Sequence, residues 1–192
     1  AGDAVKAITV RAMNGELDFE EALRERVSAL KGLPSGVIGD VIAGRISFMP
    51  GGRELIATMR QNNAYCALIS GGFTHFTAFV GAELGFHEHQ ANELIIRDNL
   101  LTGEVADPVL GRDAKVAALQ RIAGTFGFSM AEAMAVGDGA NDIPMLKTAG
   151  AGVALHAKPA VKQEVDIQID HGDLTALLYL QGFTRDEFAR HH

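Results

Sequence analysis

The start of the chain carries a helical pattern of apolar and polar positions. Apolar residues recur at three- and four-residue spacing over about residues 5–31, which is typical of amphipathic helices. Asn14-Gly15 interrupts this pattern, and the spacing Asp18-x-x-Glu21 predicts an N-cap for a second helix. Further helices are expected over residues 35–43 and 50–61, the latter opened by Pro-Gly-Gly. This part of the chain is therefore predicted to be helical throughout.

The pattern then changes to short apolar runs that alternate with helical segments. Strands are predicted at 64–69, 133–136, 152–155 and 165–169, a hairpin at 93–97 and 100–105, and helices at 74–84, 112–124, 143–149, 158–164 and 174–180. Such alternation predicts a doubly wound parallel α/β sheet, with ligands at the carboxyl ends of the strands. We predict a helical cap over residues 1–50 and a Rossmann-like α/β core over 51–192.

Composition narrows the classes of function. The 192 residues are 47% hydrophobic and 21% charged, and no run approaches the roughly twenty apolar residues of a membrane-spanning helix. The net charge of −7 gives no broad basic surface for nucleic acid. The single cysteine, Cys66, lies in an apolar run, which favours a buried structural thiol and a reducing, cytoplasmic compartment.

Three polar features follow predicted strands or begin a predicted helix, where such a sheet places its site. Ser70-Gly71-Gly72 offers a hydroxyl and unobstructed backbone N–H groups to a phosphate. Lys115 can neutralise the charge that gathers on phosphoryl oxygens during transfer. The loop at 137–142 presents Asp138 and Asp142, and such hard oxygen ligands suit Mg²⁺. Ser-Gly-Gly alone is a common strand-to-helix turn and a lone lysine near a helix start is usually solvated, whereas the acidic loop after a buried strand is more specific for a metal. Together and in this order, the three predict a phosphate site with a bound metal.

The same segments resemble the motifs of a known family. Residues 69–73, Lys115 and residues 136–142 are similar to the second, third and fourth motifs of the haloacid dehalogenase-like phosphatases. Residues 12–19 and 23–27 resemble the cap of the branch that acts on O-phospho-L-serine, so the resemblance covers nearly the whole chain. It implies Mg²⁺-dependent hydrolysis of O-phospho-L-serine, the last step of serine biosynthesis, through an aspartyl-phosphate. A small phosphorylated amino acid is the implied ligand, and a homodimer is left open.

The resemblance assigns roles around the phosphoryl group. Ser70 and Gly71 would hold its oxygens, and Lys115 would neutralise their charge. Asn141 would contact the same group from the loop after the predicted strand at 133–136.

Metal and cap residues are also implied by the resemblance. Asp138 would ligate Mg²⁺, and Asp142 would contact the metal or its bound water. Arg26 would pair with the substrate carboxylate through two parallel hydrogen bonds, and Met13 and Phe19 would form walls that exclude water. Without the family pattern, Arg26 would be interpreted as a solvated helix arginine.

One part of the family pattern has no counterpart in the chain. The family's first motif, Asp-x-Asp-x-Thr, supplies the nucleophile and the general acid/base, and no Asp-x-Asp occurs here. In the family, its strand lies between the strands that end near Ser70 and Gly137, so we expect two unpaired inner edges. Each unpaired buried group costs on the order of 1–3 kcal/mol. We therefore expect an upstream segment in the natural protein, and no phosphoserine hydrolysis by these residues alone.

Two other interpretations stay open. One is a related phosphatase or phosphotransferase that acts on another small phosphorylated amine, which only the pocket could distinguish. The other is a fragment or pseudoenzyme that binds a phosphorylated ligand without turnover, as the missing aspartates suggest. A zinc site at His87-x-His89 is disfavoured, because no third ligand follows in spacing.

Overall fold

The structure is a computed structural model that describes residues 5–8, 11 and 17–189. The chain forms two compact units. The first contains Ala1–Ser47, Ser70–Glu83 and His89–Gly111, and the second contains Phe48–Ile69, Leu84–Glu88 and Arg112–His192. The first unit thus combines most of the segment predicted as a cap with two later segments. Within the described residues, no helix is both long enough and apolar enough to cross a membrane.

Helices and strands alternate along most of the described chain. From residue 17 onward, the helices are α1 Phe19–Ser28, α2 Gly36–Arg45, α3 Gly52–Gln61, α4 Thr74–Leu84, α5 Arg112–Phe126, α6 Ile143–Thr148, α7 Pro159–Lys162 and α8 Ala176–Leu180. The strands are β1 Ala67–Phe73, β2 Glu88–Asn92, β3 Leu94–Arg97, β4 Leu100–Val105, β5 Met134–Gly137, β6 Ala151–Leu155 and β7 Ile167–Ile169. Short 3₁₀ turns lie at Met130–Glu132, Ala140–Asp142 and Arg185–Glu187.

Helix α1 begins at the predicted cap. The Asp18 carboxylate accepts a hydrogen bond from the Glu21 N–H at 2.8 Å, and the Glu21 carboxylate accepts one from the Asp18 N–H at 3.0 Å. This reciprocal pair satisfies two N–H groups that the first turn leaves open. The helix buries Leu23 and Val27 in an apolar cluster that also contains residues of the β3–β4 hairpin. The helix and the hairpin therefore share one core within the first unit.

The β3–β4 hairpin turns at the predicted dipeptide. Asp98 and Asn99 have φ values of 51° and 60°, the left-handed conformation that a two-residue hairpin turn requires and that Asp and Asn tolerate. Antiparallel pairing runs from Arg97–Leu100 back to Leu94–Val105. The prediction of this hairpin is confirmed.

The second unit contains a parallel sheet in the order β5-β6-β7. Its central strand is buried on both faces, since Val153 and Ala154 are both 0% exposed. Continuous burial of this kind is typical of a parallel strand with helices on each side. Leu146 of α6 and Val161 of α7 pack in the cluster that contains Ala154. The predicted α/β class with parallel strands is confirmed.

The first strand of this series differs from its prediction. β1 covers Ala67–Phe73 and not 64–69, so the Ser-Gly-Gly segment predicted as a loop is strand. It pairs with β2, which was not predicted, because the sequence of β2 (Glu-His-Gln-Ala-Asn) contains no apolar run. In the described part of the chain, β1 and β5 belong to different sheets and do not pair with each other. Among the strands of the described residues, each therefore has one edge without a neighbouring strand, which agrees with the two unpaired edges expected from the sequence.

Candidate active site

A single buried carboxylate organises the loop after β5. Asp142 is 3% exposed, and its Oδ2 accepts hydrogen bonds from the backbone N–H groups of Asp138 and Gly139, both at 3.0 Å. A β-carbon on Gly137 would lie 2.5 Å from the Asp142 side chain. The glycine is therefore required for the carboxylate to sit this close to the strand end. The loop is folded around Asp142.

The other oxygen of Asp142 holds Lys115. Lys115 lies in the first turn of α5, and its Nζ donates to Asp142 Oδ1 at 2.5 Å. The two side chains are only 12% and 5% exposed. An ammonium at this depth needs a compensating charge, so the carboxylate fixes where the lysine can lie. The structure thus brings Lys115 and the loop after β5 together.

Asp138 differs from Asp142 in the exposure and in the partners of its carboxylate. It is exposed, and its carboxylate has no hydrogen-bond or ion-pair partner in the part of the chain that the structure describes. Its backbone is fixed, because its carbonyl oxygen accepts from the Lys158 N–H at 3.2 Å. A fixed loop with one open carboxylate fits Mg²⁺, which takes one or two carboxylates and completes its shell with water and substrate oxygens. Within the described ranges, no group of three or more His, Cys, Asp or Glu residues could hold a metal.

Asn141 is half-buried in the same loop. A β-carbon on Gly139 would lie 2.5 Å from Asn141 Oδ1, so a larger residue at 139 would require the Asn141 side chain to move.

The end of β1 carries the predicted phosphate-binding segment. Ser70 Oγ accepts a hydrogen bond from the Gly72 N–H at 3.0 Å. The Phe19 ring covers the neighbouring glycine, because a β-carbon on Gly71 would lie 3.0 Å from Phe19 Cζ. The structure therefore brings Phe19 to Gly71 within the first unit. Met13, the other predicted wall residue, lies outside the described residues.

Sequence analysis missed a buried amide beside this segment. Asn92, at the end of β2, is 2% exposed; its Nδ2 donates to the Gly71 carbonyl at 3.0 Å, and its Oδ1 accepts from the Leu110 N–H at 2.7 Å. It ties β1 to the segment that precedes α5. No motif marked this residue, and its strand was not predicted. Asn92 could have been identified from the sequence only if β2 had been recognised as a polar strand next to Gly71.

Arg26, predicted to bind the substrate carboxylate, is half-buried on α1. Its Nε donates to the Ala22 carbonyl at 3.0 Å. No carboxylate of the described residues pairs with this guanidinium, unlike that of Arg24, which binds Glu20 and Asp107. Its terminal nitrogens are therefore available to an anionic ligand.

A cavity of about 880 Å³ in the second unit is lined by residues from β1, α5 and β5. Ile69, which precedes Ser70, lines it together with Lys115 and with Val136, which precedes the loop after β5. The strands that lead into the serine segment and into the acidic loop thus border one cavity, and the lysine lies at its wall.

Comparison with known proteins identifies the family. The family model of the haloacid dehalogenase-like hydrolases matches residues 2–147, which is most of the chain. The chain belongs to the haloacid dehalogenase-like hydrolase family. The resemblance seen in its motifs is therefore confirmed, and so is the predicted fold class.

Several relatives of this chain are named phosphoserine phosphatases. Phosphoserine phosphatase SerB2 of Mycobacterium tuberculosis is 45% identical over 183 residues, covering 95% of this chain but 44% of that protein. A phosphoserine phosphatase of Streptococcus thermophilus is 43% identical over 173 residues, covering 90% of this chain and 80% of the relative. The chain thus spans less than half of the first relative and most of the second.

Solved structures of the family have the same fold. The structure titled as a phospho-aspartyl intermediate analogue of phosphoserine phosphatase is 41% identical, with a TM-score of 0.85. The alignment covers 93% of this chain and 85% of that structure.

The Lys115–Asp142 pair yields a prediction about stability. Asp142→Asn is expected to lower the free energy of unfolding by about 3 kcal/mol, because it leaves a buried ammonium without its counter-ion. Adding Lys115→Met should restore part of this loss by removing that charge. Urea unfolding of the two single variants and the double variant measures the coupling.

The exposed pair Lys147–Glu164 serves as the matched control, since its side chains are 52% and 44% exposed. Glu164→Gln should change the free energy of unfolding by no more than about 1 kcal/mol. Equal losses in Asp142→Asn and in the double variant would contradict the dependence of Lys115 on Asp142.

The two hydrogen bonds of Asn92 yield a second prediction. Asn92→Leu removes the acceptor of the Leu110 N–H, so hydrogen exchange at that amide should become faster, whereas Asn92→Asp keeps an acceptor there and should preserve its protection. NMR-detected exchange measures both variants. Asn62→Leu is the control, because among the described residues the Asn62 side chain bonds only the Thr58 carbonyl of α3, the helix that it caps. Unchanged protection of Leu110 in Asn92→Leu would show that the amide does not hold this segment.

Proposed function

We propose that the protein to which this chain belongs hydrolyses O-phospho-L-serine to L-serine and phosphate with Mg²⁺. The observation that carries the proposal is the buried Lys115–Asp142 pair, which fixes an ammonium beside a loop with one open carboxylate. A phosphoryl group in transfer needs both a fixed positive charge and a metal to balance its oxygens. Relatives that are 43–45% identical and named phosphoserine phosphatases support the choice of substrate.

Each side chain of the core has a defined part in this proposal. Lys115 uses donors of its ammonium that are not bound to Asp142 to neutralise phosphoryl oxygens. Asp138 holds Mg²⁺, which when bound balances phosphoryl charge and orients the group. Asp142 keeps both oxygens on protein donors and so acts by holding the loop and the lysine, reaching the metal only through bound water. Asn141 contacts the phosphoryl group from the same loop.

The first unit supplies phosphate binding and substrate selection. Ser70 and Gly71 bind phosphoryl oxygens through the hydroxyl and the backbone N–H groups. Phe19, which covers Gly71, keeps water away from this segment. Arg26 binds the carboxylate of the serine moiety with its terminal nitrogens, and the family pattern assigns the second wall to Met13.

The attack on phosphorus requires a nucleophilic aspartate, and the family motif that supplies it is absent from the 192 residues. By the family pattern it comes from the first aspartate of Asp-x-Asp-x-Thr, and no Asp-x-Asp occurs in the sequence. The 192 residues by themselves are therefore proposed to bind phosphate without turnover. A cytoplasmic location and a homodimer remain predictions from the sequence.

Phosphate release from O-phospho-L-serine with Mg²⁺ tests the proposal. The chain joined at its N-terminus to the strand and loop of a family member that carries Asp-x-Asp-x-Thr is expected to release phosphate, and the chain alone is not. Asp138→Asn in the joined protein should lower kcat/KM by at least about 100-fold, because the metal loses its open carboxylate. Equal release by the chain alone and by the joined protein would overturn the proposed division of roles.

Arg26 gives a test of substrate selection. Phosphoethanolamine lacks only the carboxylate of phosphoserine, so Arg26→Gln in the joined protein should lower kcat/KM for phosphoserine by about 10- to 100-fold and leave that for phosphoethanolamine nearly unchanged. Arg24→Gln, two residues earlier on α1, is the matched control, because Arg24 is already paired with Glu20 and Asp107. Equal losses for both substrates would exclude the proposed contact.

A further inference from the structure

A smaller cavity lies at the β3–β4 hairpin of the first unit. Its volume is about 320 Å³, and it is lined by residues of β3, of β4 and of the turn after α1. Small-molecule sites in proteins begin at about this size. None of the lining residues has a part in the proposed hydrolysis, so an inference from this cavity goes beyond the proposed function and does not rest on it.

The hairpin presents both charge and apolar surface to this cavity from one face. Leu100, Thr102 and Glu104 line the cavity from alternate positions of β4, which a strand places on the same side. Leu101, between the first two, is only 4% exposed and packs in the core. Arg97 is the antiparallel partner of Leu100, so its side chain shares that face. A guanidinium, an isobutyl group and a carboxylate therefore lie along one side of the hairpin.

The turn after α1 brings a second cation, Lys31, to the cavity. The Gly32 N–H donates to the Leu101 carbonyl at 2.8 Å, and the Leu101 N–H donates to the Leu33 carbonyl at 2.8 Å. A β-carbon on Gly103 would lie 2.8 Å from Lys31 Cβ, so the turn and the strand are in close contact. The backbone from which this ammonium extends is therefore fixed beside β4.

The three charged side chains of the cavity are not paired with one another. No nitrogen of Lys31 or Arg97 lies within 4.0 Å of a Glu104 carboxylate oxygen, and none of the three has an ion-pair partner elsewhere in the part of the chain that the structure describes. All three are exposed. Two cations and one anion thus border a single cavity and are open to a ligand.

An α-amino acid matches this arrangement of charges. Its carboxylate and its ammonium are attached to one carbon atom, so it requires opposite charges that lie near each other without being in contact. Arg97 can bind the carboxylate with two parallel hydrogen bonds, and Lys31 adds a second positive charge. Glu104 can accept hydrogen bonds from the ammonium. The same carboxylate disfavours a simple anion such as phosphate, because like charges repel.

Leu100 indicates the kind of side chain that the amino acid carries. It is 43% exposed, so a ligand that covers it removes apolar surface from water. We propose that the cavity at the β3–β4 hairpin binds a free α-amino acid with an aliphatic side chain. Arg97 and Lys31 bind its carboxylate, Glu104 binds its ammonium, and its side chain packs on Leu100.

Titration of the 192-residue chain with L-leucine tests the proposal, with NMR detection at the backbone amides of β4. L-Leucine should shift the signals of Leu100, Thr102 and Glu104 saturably, with a dissociation constant of about 1 mM or tighter. 4-Methylpentanoate, which is L-leucine without its ammonium, should bind at least about fivefold more weakly. The absence of saturable shifts at about 10 mM L-leucine, or equal binding of the two ligands, would overturn the proposal.

Two variants assign the charged contacts. Glu104→Gln should weaken L-leucine by at least about fivefold and leave 4-methylpentanoate nearly unchanged, whereas Arg97→Gln should weaken both. Arg45→Gln is the matched control, because Arg45 is an exposed arginine of the first unit, at the end of α2, and does not line the cavity. The replaced side chains are exposed, and the same spectra report whether each variant is folded. Equal weakening of both ligands by Glu104→Gln would exclude the contact with the ammonium.

Two further ligands test the apolar contact and the charge pattern. Glycine should bind at least about fivefold more weakly than L-leucine, and Leu100→Ser should remove this difference. Inorganic phosphate should cause no saturable shift at the amides of β4. Phosphate binding there as strong as that of L-leucine would indicate a general anion site and overturn the proposal. None of these measurements includes phosphoserine, so they succeed or fail independently of the hydrolysis assay.

Discussion

The candidate site depends on the burial of one carboxylate. Asp142 accepts hydrogen bonds from two backbone N–H groups and from the Lys115 ammonium. A charge taken out of water must be compensated in this way, so the loop, the strand end and the first turn of α5 are constrained together. The glycine at 137 follows from the same constraint, because a β-carbon there would collide with Asp142. Asp142 accepts from the backbone N–H groups of the loop, and the Asp138 carboxylate is exposed.

The first unit also contains a buried polar side chain with all of its ends paired, but this side chain is an uncharged amide. Asn92 is almost fully buried, and both ends of its amide are paired, one with the Gly71 carbonyl and one with the Leu110 N–H. Phe19 closes over Gly71 from α1. A buried amide with unpaired ends would raise the free energy of the folded chain, so these contacts fix the position of the Ser-Gly-Gly segment.

Strands β1 and β5 position the two segments of the candidate site that follow the predicted strands. In a parallel sheet the carboxyl ends of neighbouring strands supply the site, and here the two strands that lead into the serine segment and the acidic loop border one apolar cavity. Membership of the haloacid dehalogenase-like hydrolases and the likeness to phosphoserine phosphatases support the proposed function.

Local signals in the sequence determined much of this protein. The Asp18–Glu21 capping box, the Asp98-Asn99 turn and the alternation of strands with helices were readable because each depends on residues close together in the chain. The motif residues were readable because their types and order match a family. Tertiary structure alone decided that β1 continues through Ser70 to Phe73, that the polar β2 pairs with it, and that Asn92 lies against Gly71. Those features depend on contacts with residues far along the chain. Burial by such residues forces a polar side chain to find hydrogen-bond partners inside the protein, and a local sequence pattern does not show which partners these are.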